Sequence, residues 1–309
     1  MTISPLHPLR LGTRASPLAM AQARLVRDHL LRAHGWDENT VVICPVVASG
    51  DKIIDRALAD VGGKALWTKE LDHWLMTGQI DFAVHSMKDV ETHRPAELII
   101  AAMLERADVR DRLIGAPSIA ELPHGAGVGT SAPRRAAQLL RLRPDLKIGL
   151  FRGNVQTRLA KLAAGDADAT VLAAAGLDRL AMNGVGHAIA IETMLPAPAQ
   201  GAIGIETLAK STEIRSLLDV VNHLPTFNCV LAERALLAGL AADCRSPVAA
   251  LATLEGDQIW LRAQILSEDG TREAHNEARF AVGDYGQPLE LARQLLASAD
   301  PALRAIFAT

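Results

Sequence analysis

Aromatic residues are scarce in this chain: one Tyr, four Trp and five Phe among 309 residues, 3% of the total. Because 49% of the residues are nonetheless hydrophobic, the interior has to be built from Ala, Leu, Val and Ile, which suits an α/β protein. Cysteine is scarce too. Cys44, Cys229 and Cys244 are too few and too irregularly spaced for a disulfide framework or a zinc site. The ten His show no HExxH or similar spacing, so no metal is expected, and His85 within an apolar run reads as a core histidine. No apolar run approaches the roughly 18 residues needed to cross a bilayer, and MTISPLHPLR lacks the apolar block of a signal peptide. A cytoplasmic protein without a membrane partner is expected. The net charge of −3 argues against nucleic-acid binding, which needs a strongly basic surface. No GxxxxGK[ST] occurs and no GxGxxG stands between a strand and a helix, so nucleotide binding is not expected.

What is abundant is arginine, 25 residues against seven Lys. Its planar fork matches carboxylates. The length allows two or three domains. Ser16-Pro17 before LAMAQARLVRDHLLRAHG predicts a capped helix with Leu18, Ala21, Leu25 and Leu30 near one face and Gly35 as its stop. The strand VVICPVV follows, then a helix carrying Trp67, Leu71, Trp74 and Leu75, then the strand IDFAVHS. The middle repeats the alternation: GAGVGTS, helix PRRAAQLLRLR, strand KIGLF, helix VQTRLAKLAAG, strand ATVLAAA and loop GLDRL. Such βαβ units predict parallel or mixed sheets. LPAPAQGAIGIE is the expected return into the first lobe, giving two similar α/β lobes with a crevice between them. From about Asn222 a helix, three strand-like runs and a closing helix predict a small α+β domain.

Ligands of open α/β sheets bind at the carboxyl ends of strands. The loops found there supply Ser86, Lys88 and Asp89; Thr130 and Ser131 with Arg134 and Arg135; Arg152, Asn154 and Arg158; and Arg179. Together they read as an anion site, helped by the free N–H groups of the helix starting near Pro133. Taken alone, Arg134 and Arg135 fit a solvated helix face, and Asp89 fits a turn cap as well as a catalytic carboxylate. Among Arg and Lys, a carboxylate stays ionised and stabilises a developing cation. Cys244, between Asp243 and Arg245 in a loop, is the one cysteine presented for reaction, and an adjacent Arg favours thiolate.

Eight segments, LGTRASPLAMAQA, VGGKALWTKEL, DFAVHSMKDV, VGTSAPRRAAQL, FRGNVQTRLAKL, LAAAGLDRL, PAPAQGAIGIE and LAADCRSPVAA, resemble in order and spacing the hydroxymethylbilane synthase (porphobilinogen deaminase) family. The resemblance implies an α/β fold with two periplasmic-binding-protein-like lobes of mixed sheets plus a small α+β C-terminal domain. The boundaries expected are 1–104 with 199–221, 105–198, and 222–309. It further implies a cytoplasmic monomer carrying a dipyrromethane on Cys244 through a thioether. Four porphobilinogen units are then added, each losing ammonia to give an azafulvene electrophile, before hydroxymethylbilane is released by hydrolysis. Asp89 takes the catalytic role by this resemblance. Cofactor binding falls to Lys88, Ser86, Thr130, Ser131, Arg134, Arg135 and Arg158, and substrate binding to Arg14, Ser16, Lys64, Arg152, Asn154, Arg179 and Gln200.

The chain departs from the family pattern at three places. Asp60 stands where relatives carry Lys, Ala132-Pro133 replaces Ser-Leu before the Arg pair, and Ala199 replaces a Gly before Gln200. The last restricts the backbone if that position needs a positive φ. Two other readings compete. A non-enzymatic binding protein for small organic anions needs the arginines but no reactive cysteine, and a cysteine hydrolase lacks a recognisable His partner.

Overall fold

A computed structural model describes residues 7–46, 68–243 and 245–307. The expectations placed on Asp60, Lys64, Trp67 and Cys244 lie outside the described residues. Three sheets organise the rest. The first contains β1 (Leu9–Arg14), β2 (Val41–Val46), β3 (Phe82–Ser86), β4 (Leu98–Met103) and β10 (Ile203–Leu208), in the order β2-β1-β3-β10-β4. The second contains β5 (Asp111–Ile114), β6 (Gly127–Gly129), β7 (Lys147–Gly149), β8 (Ala169–Ala173) and β9 (His187–Ala188), in the order β7-β6-β8-β5-β9. In both, three parallel strands are followed by one antiparallel strand, β10 in the first and β5 in the second. The return of the chain expected at LPAPAQGAIGIE is therefore present, with β10 hydrogen-bonded between β3 and β4. The third sheet is an antiparallel meander of β11 (Val248–Glu255), β12 (Gln258–Leu266) and β13 (Glu273–Ala281).

The described residues fall into two compact units. One holds the first sheet, residues 7–46, 68–107 and 202–227; the other holds the second and third sheets. In the first unit, α1 (Pro17–His34) starts where predicted: Ser16 Oγ accepts from the Ala19 amide, Pro17 opens the helix, and Gly35 closes it at φ 65°. Its buried face differs from the expected one. Ala19, Gln22, Ala23, Val26 and Leu30 point inward, whereas Leu25 is exposed. The small alanines let the helix lie close to its sheet, where Leu9, Leu11, Phe82 and Val84 complete the core. Burying each such large side chain contributes about 2 kcal/mol. The helix α2 (Lys69–Met76) places Leu71 and Leu75 in a second cluster with Ile80.

In the other unit, β8 is buried along nearly its whole length, as a central parallel strand covered on both faces should be. Around it stand α3 (Pro133–Leu142), α4 (Val155–Ala163) and α5 (Ala174–Arg179). GLDRL, expected as a loop, lies largely in α5, because Ala174, Ala175 and Leu177 pack inward; Arg179 is the last residue of a helix. The long helix α6 (Leu224–Gly239) and α7 (Gly286–Ser298) bury Leu236, Leu291 and Leu295 against Ile259, Leu261 and Ile265 of the third sheet.

Candidate active site

In the first unit, β1 and β3 end beside one another and deliver Arg14 and Ser86 to an open cavity. Ser16, Thr68, His85 and Asp89 also line it. Asp89 closes a single 3-10 turn, Met87–Asp89, in which Lys88 is half-buried. Ser16 has a second duty as the cap of α1. A further lining residue was not singled out from sequence: Gln22, buried on α1, whose Nε2 has no hydrogen-bond partner among the described residues. Its signal was a polar residue on the inward face of an amphipathic helix.

Behind this cavity lies a buried charge cluster. Arg94 Nε and Nη2 donate to Glu206 Oε1 and Oε2, each at 2.8 Å, and Nη2 also donates to Asp72 at 2.5 Å. Nη1 donates to Glu91 at 2.7 Å and to Thr68 at 3.1 Å. His85 Nε2 stands 3.1 Å from Glu206 Oε2, so the core-histidine reading holds and the residue also faces the cavity. Burial alone pushes the Glu206 carboxyl up, but His85 and Arg94 outweigh it and bring it down to about 2. At Asp72 burial wins over Arg94, and the pKa is raised.

In the other unit the centre is Asp111, at the start of β5 and fully buried. Arg134 Nη2 and Arg135 Nη2 donate to its two oxygens at 2.8 and 2.7 Å, and Gln200 Nε2 to one of them at 2.9 Å. Burial favours the neutral acid, yet the two guanidiniums hold the Asp111 pKa well below the usual carboxylate range. The solvated-face reading of the Arg pair is excluded, since both are about 5% exposed. Arg134 is anchored further by Gln138 and the Leu195 carbonyl, and Arg135 by the Val171 carbonyl. Two positive charges face one negative charge, and both Nε atoms lack a partner among the described residues. The group retains one net positive charge in a place of low dielectric.

The neighbouring strand ends bring the remaining residues. Arg158 donates to the Gly153 carbonyl and to Ser131 Oγ at 3.2 Å. Thr130 is buried and accepts from the Ala132 amide. Arg152 is buried, whereas Asn154 is exposed and caps α4 through the Thr157 amide. Arg179 donates to the Gly201 carbonyl at 2.7 Å, and burial lowers its pKa to about 10, which leaves it charged at neutral pH. Ala199 does adopt the positive φ that a Gly would favour, 61°, and its amide donates to buried Glu233 at 2.5 Å. Next to Cys244, Arg245 pairs with Asp243 at 2.7 Å, so its charge is shared and gives less support to a thiolate than the sequence suggested. Asp111, Glu206 and Glu233 were not singled out from sequence; Glu206 and Glu233 sit inside an apolar and a helical run, and Asp111 lies between Arg110 and Arg112.

A family model described as porphobilinogen deaminase, dipyromethane cofactor binding domain, matches residues 9–216, and the porphobilinogen deaminase C-terminal domain matches residues 227–298. The porphobilinogen deaminase of Sphingopyxis alaskensis is 57% identical over 312 residues, covering 99% of this chain and 98% of that protein. Its counterpart from Paracoccus denitrificans is 48% identical over 270 residues, 86% of each chain. Among solved structures, the second substrate binding domain of a putative amino acid ABC transporter from Streptococcus pneumoniae overlaps 69% of this chain and 91% of its own, with a TM-score of 0.41 at 13% identity. With both family domains matched in order along most of its length, the chain belongs to the porphobilinogen deaminase family.

Proposed function

We propose that this chain condenses four porphobilinogen molecules, with loss of ammonia, onto a dipyrromethane primer held by Cys244, and releases linear hydroxymethylbilane. The observation that carries the reading is the buried Arg134–Arg135–Asp111 group with its remaining positive charge, placed where three parallel strands end. Carboxylate side arms, as on a pyrrole bearing acetate and propionate, are the ligands such a group favours.

The residues present fit the cofactor. The unpartnered Nε atoms of Arg134 and Arg135 belong to a group still one negative charge short, and Thr130, Ser131 and Arg158 add donors beside them. Lys88, Ser86 and these five hold it, with Cys244 as the attachment point. When bound, the dipyrromethane supplies the pyrrole carbon to which the first substrate is joined. Arg14, Ser16, Lys64, Arg152, Asn154, Arg179 and Gln200 engage substrate carboxylates and polar groups, and Gln22 offers its free amide donor to the same cavity as Arg14. Asp89 accepts the pyrrole N–H of the substrate, stabilises positive charge as the amine departs, and assists proton removal from the newly joined ring.

The proposal divides the chain into 1–104 with 199–221, 105–198, and 222–309; in support, the strands of each sheet fall wholly within one of these segments. It also takes the protein as a cytoplasmic monomer. Among the described residues no helix is long and apolar enough to cross a membrane.

Intact mass with peptide mapping tests the attachment: a two-pyrrole adduct on Cys244, absent from Cys244→Ser, is expected. An unmodified chain that fails to acquire the adduct from porphobilinogen favours the anion-binding alternative. Asp89→Ala should keep fold and adduct while losing most turnover, and near-normal product formation removes Asp89 from the mechanism.

A further inference from the structure

The segment that carries Asp89 is tied at both ends to one strand, β10, which lies more than a hundred residues further along the chain. At its entry the Met87 amide donates to the Ala202 carbonyl at 3.1 Å. The Met87 side chain, fully buried, fills the room left by Gly204, where an added Cβ would stand 2.0 Å from the Met87 sulfur. At its exit Arg94 reaches back to Glu206, two residues beyond Gly204 on β10, with a bidentate grip. The β10–β4 register shifts between Ile205 and Glu206, the kind of bulge by which a strand re-aims a side chain.

A guanidinium has five N–H donors, and Arg94 makes five bonds: two to Glu206 and one each to Asp72, Glu91 and Thr68. Thr68 and His85, which touch this cluster, stand with Asp89 in the cavity wall. Stability alone is a poor reason for the arrangement, because burying one cation among three carboxylates is seldom better than packing apolar side chains there. What it does supply is geometric: five directed bonds fix the return of the chain from Asp89 and two of its neighbours together.

We propose that Arg94 is a positioning residue for the reaction, acting through Asp89 by holding the 87–94 segment in register with β10. The proposal rests on the catalytic role given to Asp89 above. Displacing a reacting group by about 1 Å costs on the order of a hundredfold in rate, so even partial loosening is measurable.

The test is a double-mutant cycle on holoenzymes, with loading at Cys244 verified by intact mass and folding by thermal melting. Arg94→Gln should lower kcat for porphobilinogen about tenfold or more while KM stays within about threefold, and Arg94→Lys should recover part of the loss. In an Asp89→Asn background the same Arg94→Gln change should alter the residual kcat by less than about threefold, because the group it positions is gone. Equal losses in both backgrounds overturn the proposal, as does unchanged kcat in a folded Arg94→Gln. If Asp89→Asn by itself turns over normally, the role of Asp89 has failed, a result read separately from the effect of Arg94. Should Arg94→Gln not fold, Glu91→Gln removes one negative charge at the half-buried side of the cluster, where Glu91 Oε2 accepts from both Arg94 and Thr68. It is expected to lower kcat about threefold in the parent and not in Asp89→Asn. No loss in Glu91→Gln together with full activity in Arg94→Lys also overturns the proposal.

Discussion

The two five-stranded sheets share one pattern of strand directions yet bury charge in opposite senses. In the first, a single guanidinium, Arg94, meets three carboxylates; in the second, a single carboxylate, Asp111, meets two guanidiniums. In each case a central acid rides on the antiparallel strand, Glu206 on β10 and Asp111 on β5. Their depths differ. Asp111 pairs with Ala173, the last residue of β8, whereas Glu206 pairs with Ala83, three residues before the end of β3. Ligands of open α/β sheets bind at the carboxyl ends of the strands. The second cluster therefore stands at that level with charge to spare for an anion, and the first lies beneath it with every donor of Arg94 engaged. Similar sheets thus place one charge cluster at the strand ends and the other beneath them, a difference in the register of one acidic residue that fits the anion-binding role proposed for the former and the positioning role proposed for the latter.

The strongest way to break this comparison is Asp111→Ala. Two buried guanidiniums would lose their counter-charge, and a loss of about 3–5 kcal/mol is expected in urea unfolding. A loss under about 1 kcal/mol would mean that water or other groups already compensate them. Next comes Glu206→Gln, expected to cost about 2–3 kcal/mol because it weakens charged hydrogen bonds from Arg94 and His85. This change also tests the pH dependence. The Glu206 pKa falls on folding from an ordinary value of 4.5 to about 2, so its contribution is fully present above the higher value and is lost as pH drops to the lower. Asp111 acts in the same direction, and Asp72, whose pKa is raised, opposes both. Acid unfolding should therefore steepen below about pH 4.5, and Glu206→Gln should flatten that limb.

A smaller effect is expected at the second sheet, where anion binding is proposed. Arg158→Ala removes a half-buried donor and should lower kcat/KM for porphobilinogen about tenfold, roughly 1.4 kcal/mol, with Cys244 still modified. A loss of the adduct instead would mean that Arg158 is needed for attaching the cofactor as well as for the holding role proposed for it. The smallest effect falls at Ala199, held at φ 61° by the bond from its amide to Glu233. Left-handed backbone strains an Ala but not a Gly, while Gly adds freedom to the unfolded chain. Ala199→Gly should on balance raise stability by about 0.5–1 kcal/mol, read as a shift in urea midpoint with unchanged slope.

Much of this was legible along the chain because its signals are local. Ser16, Pro17 and Gly35 mark both ends of α1 through bonds spanning a few residues, and the strand-to-loop transitions at HSMKD and FRGN place Asp89 and Arg152 without any long-range information. The order of the eight motif segments was likewise sufficient to assign the family. Less legible was the inward face of α1, since Leu25 is more apolar than Ala23 and yet is exposed; only the closeness of the packed sheet selects the smaller residue. Arg179 was placed in a loop because the helix around it is a single short one, stabilised by burial of Ala174, Ala175 and Leu177 rather than by propensity.

Sequence by itself determined the α/β alternation, the arginine-rich strand ends and the candidate residues, because caps, periodicity and residue chemistry act over a few neighbouring positions. Only the tertiary structure decided which charges meet. Glu206 finds Arg94 across 112 residues, and Gln200 finds Asp111 across 89. No local pattern encodes those distances; they follow from an antiparallel strand being inserted beside three parallel ones, with its register chosen by the packing of both faces.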